Sequence, residues 1–399
     1  MSLDSKTPTE TPQANVGSVR QANDRLGEWT RRFVRRPGVD RGAGRMVFAL
    51  VLAIALFAFL NPRVFLSPIN LQNIAVAAPE IGIIAIAMMV VMLTGGIDLS
   101  LVAIANFSAI TISTLYNSIA ASDPALAESV GIVIVLVGVL VGMLGGAING
   151  FLVSVVGITP ILATLATMQI YNGLAIVWTG GSTLYGAPAL LSGIGGAAVA
   201  NIPVLFIIFI AVAILIAVLI NRTALGRMIQ LEGANPVAAQ YSAIPRRRVL
   251  LKTYTVAGVL AGLAGALFIA RNPTASADYG SSYVLLVIVI AVLGGTNPTG
   301  GFASVLGVVL ATLTLQVVSS GFTAIRLSSY EYAIAQGVIL IAVMVFDSVS
   351  TSRTKRPKRS KPASPAGSSG SSDPSAPSAS STAISTPSVT SSSAASTRN

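Results

Sequence analysis

The 399-residue chain is 53% hydrophobic and only 10% charged, yet carries a formal net charge of +11. A soluble domain holds about 25% charged residues, so this composition excludes an ordinary soluble enzyme, and its apolar content excludes a wholly disordered chain. There is no Cys and no His, which excludes disulfides, thiol chemistry, Cys/His metal sites and imidazole catalysis.

The basic residues are segregated. Nine Lys/Arg lie between Met46 and Ser350, and the other sixteen fall in the two flanks. A nucleic-acid binder carries them on a folded polar face, so no nucleic-acid partner is expected. Basic segments beside apolar blocks mark a membrane protein surrounded by lipid.

In chain order, residues 1–45 read as a basic cytoplasmic segment, with Arg31, Arg32, Arg35, Arg36, Arg41 and Arg45 leading into the first apolar run. Behind that run stands Asn61-Pro62-Arg63, not a small-x-small site, so no cleavable signal peptide is expected. Crossing a bilayer core takes roughly 20 apolar residues per helix. Spans are predicted at 46–60, 71–93, 97–117, 129–156, 159–178, 203–220, 253–271, 283–293, 301–320 and 331–348. The Gly-rich stretch 178–203 reads as a loop, a re-entrant segment or part of a span. Residues 351–399, rich in Ser, Pro, Ala and Thr behind RTKRPKRSK, are expected to be a disordered cytoplasmic tail. Residues 46–350 thus form the transmembrane domain, with a cytoplasmic loop at 221–252.

The expected fold is an all-α polytopic membrane protein of about ten transmembrane helices with both termini cytoplasmic. With that orientation, 22 of the 25 Lys/Arg lie inside, and only Arg63, Arg271 and Arg326 lie outside, as the positive-inside rule demands. Gly138, Gly142, Gly146 and Gly150 recur four apart, and Gly258, Gly262 and Gly265 repeat the idea. Such stripes suit close helix packing, or a face that slides during transport. A weak internal echo links MLTGGIDLS at 92–100 with VLGGTNPTGG at 292–301.

The 221–252 loop contains a short helix-forming stretch, Asn235 to Ile244. Asn235 is a natural N-cap and Pro236 a natural first helical residue. Tyr241 and Ile244 are expected on one face, and Pro245 ends the helix ahead of Arg246, Arg247 and Arg248. A short surface helix of this kind suits docking into a partner's groove; the alternative is a basic loop that merely sets topology.

Four motifs then resemble the permease subunit of bacterial ABC importers for monosaccharides, of the ribose/xylose/autoinducer-2 type. They are LTGGIDLS at 93–100, TPILATLATM at 159–168 with Asn172-Gly173-Leu174, EGANPVAAQYSAI at 232–244, and AGVLAGLAGALFIAR at 257–271 leading to VLGGTNPTGG. The resemblance runs from about Asn70 to Asp347. The chain departs from the family pattern at Leu101-Val102, at Asn172, at Ala243 where the family has Gly, and near Val284-Leu285, which lacks an acid. The resemblance implies a membrane dimer, homo- or heteromeric. It would carry a cytoplasmic ABC ATPase subunit and receive solute from an extracytoplasmic sugar-binding protein. It also implies that Glu232, Gly233, Ala234, Asn235, Pro236, Ala238, Ala239, Tyr241, Ser242 and Ile244 form the loop that couples to the ATPase. Gly95, Gly96, Asp98, Gly294 and Gly295 are read as structural motif residues.

No G-x-x-x-x-G-K-[ST] phosphate loop is present, so the chain is not expected to be an enzyme. ATP and Mg would be used by the partner, and no cofactor is expected on this chain. A path for an uncharged sugar calls for small neutral polar residues: Asn106, Ser108, Asn149, Thr164, Thr167, Gln169 and Asn172. The plainer reading of each is interhelical hydrogen bonding, worth about 0.6 kcal/mol. The alternative solutes are a polyol, a nucleoside or a branched-chain amino acid. An ion-coupled secondary transporter would need acids in the spans, and only Glu80 and Asp98 qualify, with no cation among the spans to partner them. Asp98 reads better as an N-cap of the third span. A membrane enzyme or scaffold fits least, having little chemistry to work with.

Overall fold

The structure is a computed structural model that describes residues 41–327 together with the helical positions Glu331, Ile334, Gly337 and Val338. The basic segment up to residue 40, the tail 351–399 and nearly all of the expected tenth span lie outside the described residues. Helices α1 (Arg41–Leu60), α2 (Pro62–Phe65), α3 (Pro68–Met92), α4 (Leu101–Ala120), α5 (Pro124–Ser129), α6 (Gly131–Phe151) and α7 (Pro160–Thr179) come first. After α7 come strand β1 (Leu184–Tyr185), helix α8 (Ala189–Gly196) and the paired strands β2 (Ala198–Val199) and β3 (Ile202–Pro203). Then follow α9 (Val204–Arg222), α10 (Ala224–Ala234), α11 (Pro236–Tyr241), α12 (Arg246–Arg271), β4 (Thr274–Ala275), α13 (Tyr283–Leu293) and α14 (Val305–Ala324).

Among the described residues, eight helices are long and apolar enough to cross a membrane, and α13 is a shorter apolar helix. Nine of the ten expected spans thus have a helical counterpart here. The ends shift where turn chemistry intervenes. Ser67 caps α3 by accepting the Asn70 N–H, with Pro68 at the first position. Ser304 caps α14 in the same way through the Gly307 N–H. The third span starts at Leu101 rather than 97, because Thr94–Ser100 is a turn closed by Asp98. The stretch 178–203 is an ordered cap, not a span: β1 pairs antiparallel with β4, and α8 sits between the two strand pairs.

Burial sorts the helices. In α3 every residue from Ala78 to Met92 is buried; a helix that is apolar all round belongs in the interior. α12 is the other central helix, buried along most of its length from Val249 to Ala270. The outer helices α1, α6, α7 and α9 expose large apolar side chains such as Phe48, Phe59, Leu136, Val177 and Leu215. An exposed apolar surface on this scale is tolerated because it faces lipid.

The glycine stripe is a packing device. A methyl group added at Gly142 would sit 2.5 Å from Gly262 Cα, and one at Gly146 would sit 2.6 Å from Gly258 Cα. Gly150 of α6 faces Leu251 of α12, whereas Gly138 turns to Ile112 of α4. The backbones of α6 and α12 therefore touch along most of the stripe, where dispersion between close-packed backbones replaces the hydrophobic drive that lipid removes.

Candidate cytoplasmic coupling site

The loop between α9 and α12 runs from Thr223 to Pro245. It is shorter than expected, because Arg246, Arg247 and Arg248 form the first turn of α12. Thr223 caps α10 by accepting the Gly226 N–H at 3.1 Å. Asn235 caps α11, its Oδ1 accepting the Ala238 N–H at 3.0 Å, with Pro236 at the first position. The cap and the proline are as the residue types require.

The end of α11 differs from expectation. The helix stops at Tyr241, and the chain reverses through Ala243 at φ +56°. The Ile244 N–H donates to Ala239 O and the Ala243 N–H to Gln240 O, both at 3.1 Å. This is a Schellman closure, which normally carries glycine at the left-handed position. Ile244 is therefore not on the Tyr241 face. It turns inward and is half-buried against the core, while Tyr241 is 90% exposed. Of α11 only Ala239 is buried. Val237 and Tyr241, four apart, form an exposed apolar face, with Ala238 and Ser242 also open to solvent.

Beneath this helix three separate motifs meet. The Gly301 N–H donates to Leu93 O at 2.9 Å. A methyl at Gly300, φ +93°, would lie 2.8 Å from both Gly233 O and Gly95 N, and one at Gly301 would lie 2.8 Å from Ala234 Cα. Gly95 in turn faces Thr299 O. Gly294 abuts the start of α14 at Val308, and Gly295 completes the turn at φ +91°. The two ends of the internal echo are thus in direct contact, with Gly233 wedged against both. Glu232 is 2% exposed and pairs with Arg246 at 2.9 Å. Burial pushes its carboxyl up from the usual range, against the pull of Arg246.

The turn ahead of α4 is locked by side chains. Asp98 Oδ1 accepts the Ser100 N–H at 2.9 Å and the Ser100 hydroxyl at 2.7 Å. It is not the helix cap; Ser100 occupies that position, and its side chain makes no capping bond. Asn149 Nδ2 donates to Asp98 Oδ2 at 3.2 Å and to Ser100 Oγ at 2.7 Å. Thr164 Oγ1 accepts the Leu99 N–H at 3.1 Å. Gly96 lies against Tyr254 and Pro160.

The seven expected path residues do not converge on one spot. Asn149 and Thr164 meet at the Asp98 turn. Asn106 Nδ2 donates to Ala277 O and Tyr279 O, both at 2.8 Å. Ser108 and Thr167 are buried, Gln169 is exposed and Asn172 is half-buried. Asn106 Oδ1, Ser108 Oγ and Asn149 Oδ1 are buried without a hydrogen-bond partner.

The sequence reading missed one pair. Glu80, fully buried, accepts from Arg271 at 2.7 Å and from the Tyr279 hydroxyl at 3.1 Å. The expectation that the acids have no cationic partner is therefore overturned for Glu80, while Asp98 is held by the neutral Ser100 and Asn149. Arg271, expected in an outer loop, is the last residue of α12 and reaches back to Glu80 of α3. The one signal in the sequence is that Arg271 stands at the very end of an otherwise apolar span.

The described residues form a multi-pass bundle of membrane-length helices with a short capped helix exposed at one end, the architecture of a polytopic membrane protein. A family model described as a branched-chain amino acid transport system permease component matches residues 70–345, and the chain belongs to that family of bacterial ABC-importer permease subunits, set in the inner membrane. It is 34% identical over 312 residues to the ribose import permease protein RbsC of Bacillus subtilis, covering 78% of this chain and 94% of that one. It is 33% identical to the D-allose transport system permease protein AlsC of Escherichia coli, over 75% and 90% of the two chains. It is 31% identical to the autoinducer 2 import system permease protein LsrD of Yersinia enterocolitica, over 76% and 91%. No solved structure matches this chain.

Proposed function

We propose that this permease subunit translocates a neutral monosaccharide of the ribose or xylose kind, delivered by an extracytoplasmic binding protein and driven by a separate cytoplasmic ATPase. Two copies, or one copy and a related chain, would form the pore. The observation that carries the reading is the exposed Val237–Tyr241 face of α11, seated on the node where residues 93–96, 233–234 and 299–301 meet. Force applied to α11 would pass through Gly233 directly to the ends of α3 and α14, so nucleotide-driven closure of the ATPase would bias a two-state change in the spans. The named relatives act on ribose, D-allose and autoinducer 2, which favours a sugar over the branched-chain amino acid of the family description.

Within the spans, Asn106, Ser108 and Asn149 are the better-supported path residues, because each keeps a buried polar atom unspent. Thr164, Thr167, Gln169 and Asn172 complete the proposed set on α7. The ion-coupled alternative loses support, since Glu80 is paired with Arg271 and Asp98 with Ser100 and Asn149. The domain reading is a cytoplasmic basic segment at 1–45, a permease domain at 46–350 and a cytoplasmic tail at 351–399.

The test is uptake of D-ribose by the reconstituted complex with ATP clamped and a protonophore added. Uptake that persists under the clamp supports ATP drive, whereas its collapse favours ion coupling. Deletion of Gly233–Pro236 should abolish both uptake and ATPase pull-down while the chain still inserts.

A further inference from the structure

At the end of the bundle opposite the α11 loop, a cavity of about 480 Å³ opens between α3, α12, α13 and α14. α12 starts at the cytoplasmic arginines and rises about 1.5 Å per residue. Its 26 residues therefore carry Arg271 across the full hydrocarbon thickness to the outer side. The volume falls within the range of small-ligand sites.

The lining has two characters. Asn70, Asn73, Gln316, Ser319 and Ser320 supply amides and hydroxyls from the facing ends of α3 and α14. Ile74, Ile81 and Leu286, with Tyr283, supply apolar and aromatic surface. Ser320 already donates to Asn70 Oδ1 at 2.7 Å. The amides of Asn73 and Gln316 carry no hydrogen bond among the described residues, so their capacity is unspent. Among the described residues the one formal charge on the wall is Arg271, and Glu80 behind it at 2.7 Å neutralises it.

We infer that this cavity is the outer binding site for the transported solute, and that it takes a neutral polyhydroxylated molecule with an apolar ring face. The inference rests on the transport reading above and gives that reading a location. Unspent amides and the outer edge of a neutralised guanidinium match hydroxyls, which both donate and accept. The aliphatic wall and the Tyr283 ring match the C–H face of a sugar ring. A free amino acid would instead require one uncompensated charge of each sign, and the described residues of the wall supply neither. Behind the wall, Asn106 holds the Ala277 and Tyr279 carbonyls of the segment whose Tyr279 hydroxyl binds Glu80.

The chain's lack of cysteine provides the experiment. Gln316→Cys and Asn73→Cys are placed singly in the full chain, co-expressed with its ATPase and binding protein in intact cells. A charged, membrane-impermeant methanethiosulfonate reagent is added from outside, with D-ribose and D-allose as uptake probes. The expected result is loss of uptake in both variants, slowed labelling when the transported sugar is present, and no effect on the unsubstituted complex. In parallel, Gln316→Leu should raise KM about five- to tenfold with Vmax retained, the worth of one hydrogen bond. Failure of the reagent to reach either position in inserted protein, or labelling that leaves uptake unchanged, would overturn the cavity assignment while the transport reading stands. Import of neither sugar by the unsubstituted complex would instead overturn the sugar reading, and this inference with it.

Discussion

The Gly301 N–H donates to the Leu93 carbonyl at 2.9 Å, joining the end of α3, the second membrane-length helix, to the turn that precedes α14. Gly300 stands beside it at φ +93°, with the Gly233 carbonyl 2.8 Å from where a Cβ would be. Three chain segments far apart in sequence share this contact, and there is no room in it for a side chain. Gly300→Ala should destabilise the protein by about 1–3 kcal/mol, from backbone strain and overpacking together. It should also weaken transport more than that loss of fold explains. Melting temperature and ATP-driven uptake, measured on the same preparation, separate the two effects.

Ala243 occupies a left-handed position that favours glycine. An L-residue there costs roughly 1–2 kcal/mol relative to glycine. Ala243→Gly should therefore raise stability by about 1 kcal/mol, less whatever glycine's freedom in the unfolded chain takes back. Ala243→Val should lower it. A detergent-solubilised thermal melt that showed the opposite order would refute the Schellman reading.

Val237 and Tyr241 touch little of their own chain, so Val237→Asp and Tyr241→Ala should leave the melt within about 0.5 kcal/mol of the parent. Both should nonetheless lose the ATPase in a pull-down. Asn235→Ala should behave differently, costing about 1 kcal/mol through the lost cap. Retention of the ATPase by both face variants would mean that α11 is not the docking element.

At Gly142 and Gly146 the neighbouring backbone of α12 stands where a side chain would go. No rotamer change relieves a clash with backbone. Gly146→Leu should prevent correct folding, read as loss of the monodisperse peak in size-exclusion chromatography. Gly173→Leu is the control: nothing lies within 4 Å of its added Cβ, so it should elute as the parent does.

Burial raises the Glu232 carboxyl above its ordinary 4.5 despite Arg246. A raised folded-state pKa means that the folded chain holds the proton more tightly than the unfolded one. The stability contributed by this group is therefore full below 4.5 and declines as pH rises through the folded value. The melting temperature of the parent minus that of Glu232→Gln should fall over that window. A difference that rose with pH would show that the Arg246 pair outweighs burial.

Much of this molecule is written locally. Helix existence follows from runs of apolar residues longer than the bilayer requires, and orientation from where Arg and Lys stop. Asn235-Pro236 specifies a helix start, because a cap and a fixed φ act over only a few residues. The glycine stripe announced close packing, because helical spacing puts every fourth residue on one face. What the residues in order did not carry were the partners. The echo at 92–100 and 292–301 was visible only as a likeness, yet its two halves are in contact. Arg271 read as an outer charge, yet it neutralises Glu80. Asp98 read as a helix cap, yet it is spent on a turn and on Asn149. Ile244 read as part of an exposed face, yet a reversal at Ala243 sends it inward. The physical reason is common to all four: caps and spans are set by neighbours along the chain, whereas ion pairs, backbone-to-backbone glycine contacts and cavity walls depend on which distant helices pack together. The sequence by itself therefore determined a membrane bundle and its orientation. Only the tertiary structure decided what α11 is seated on and where an unspent polar cavity opens.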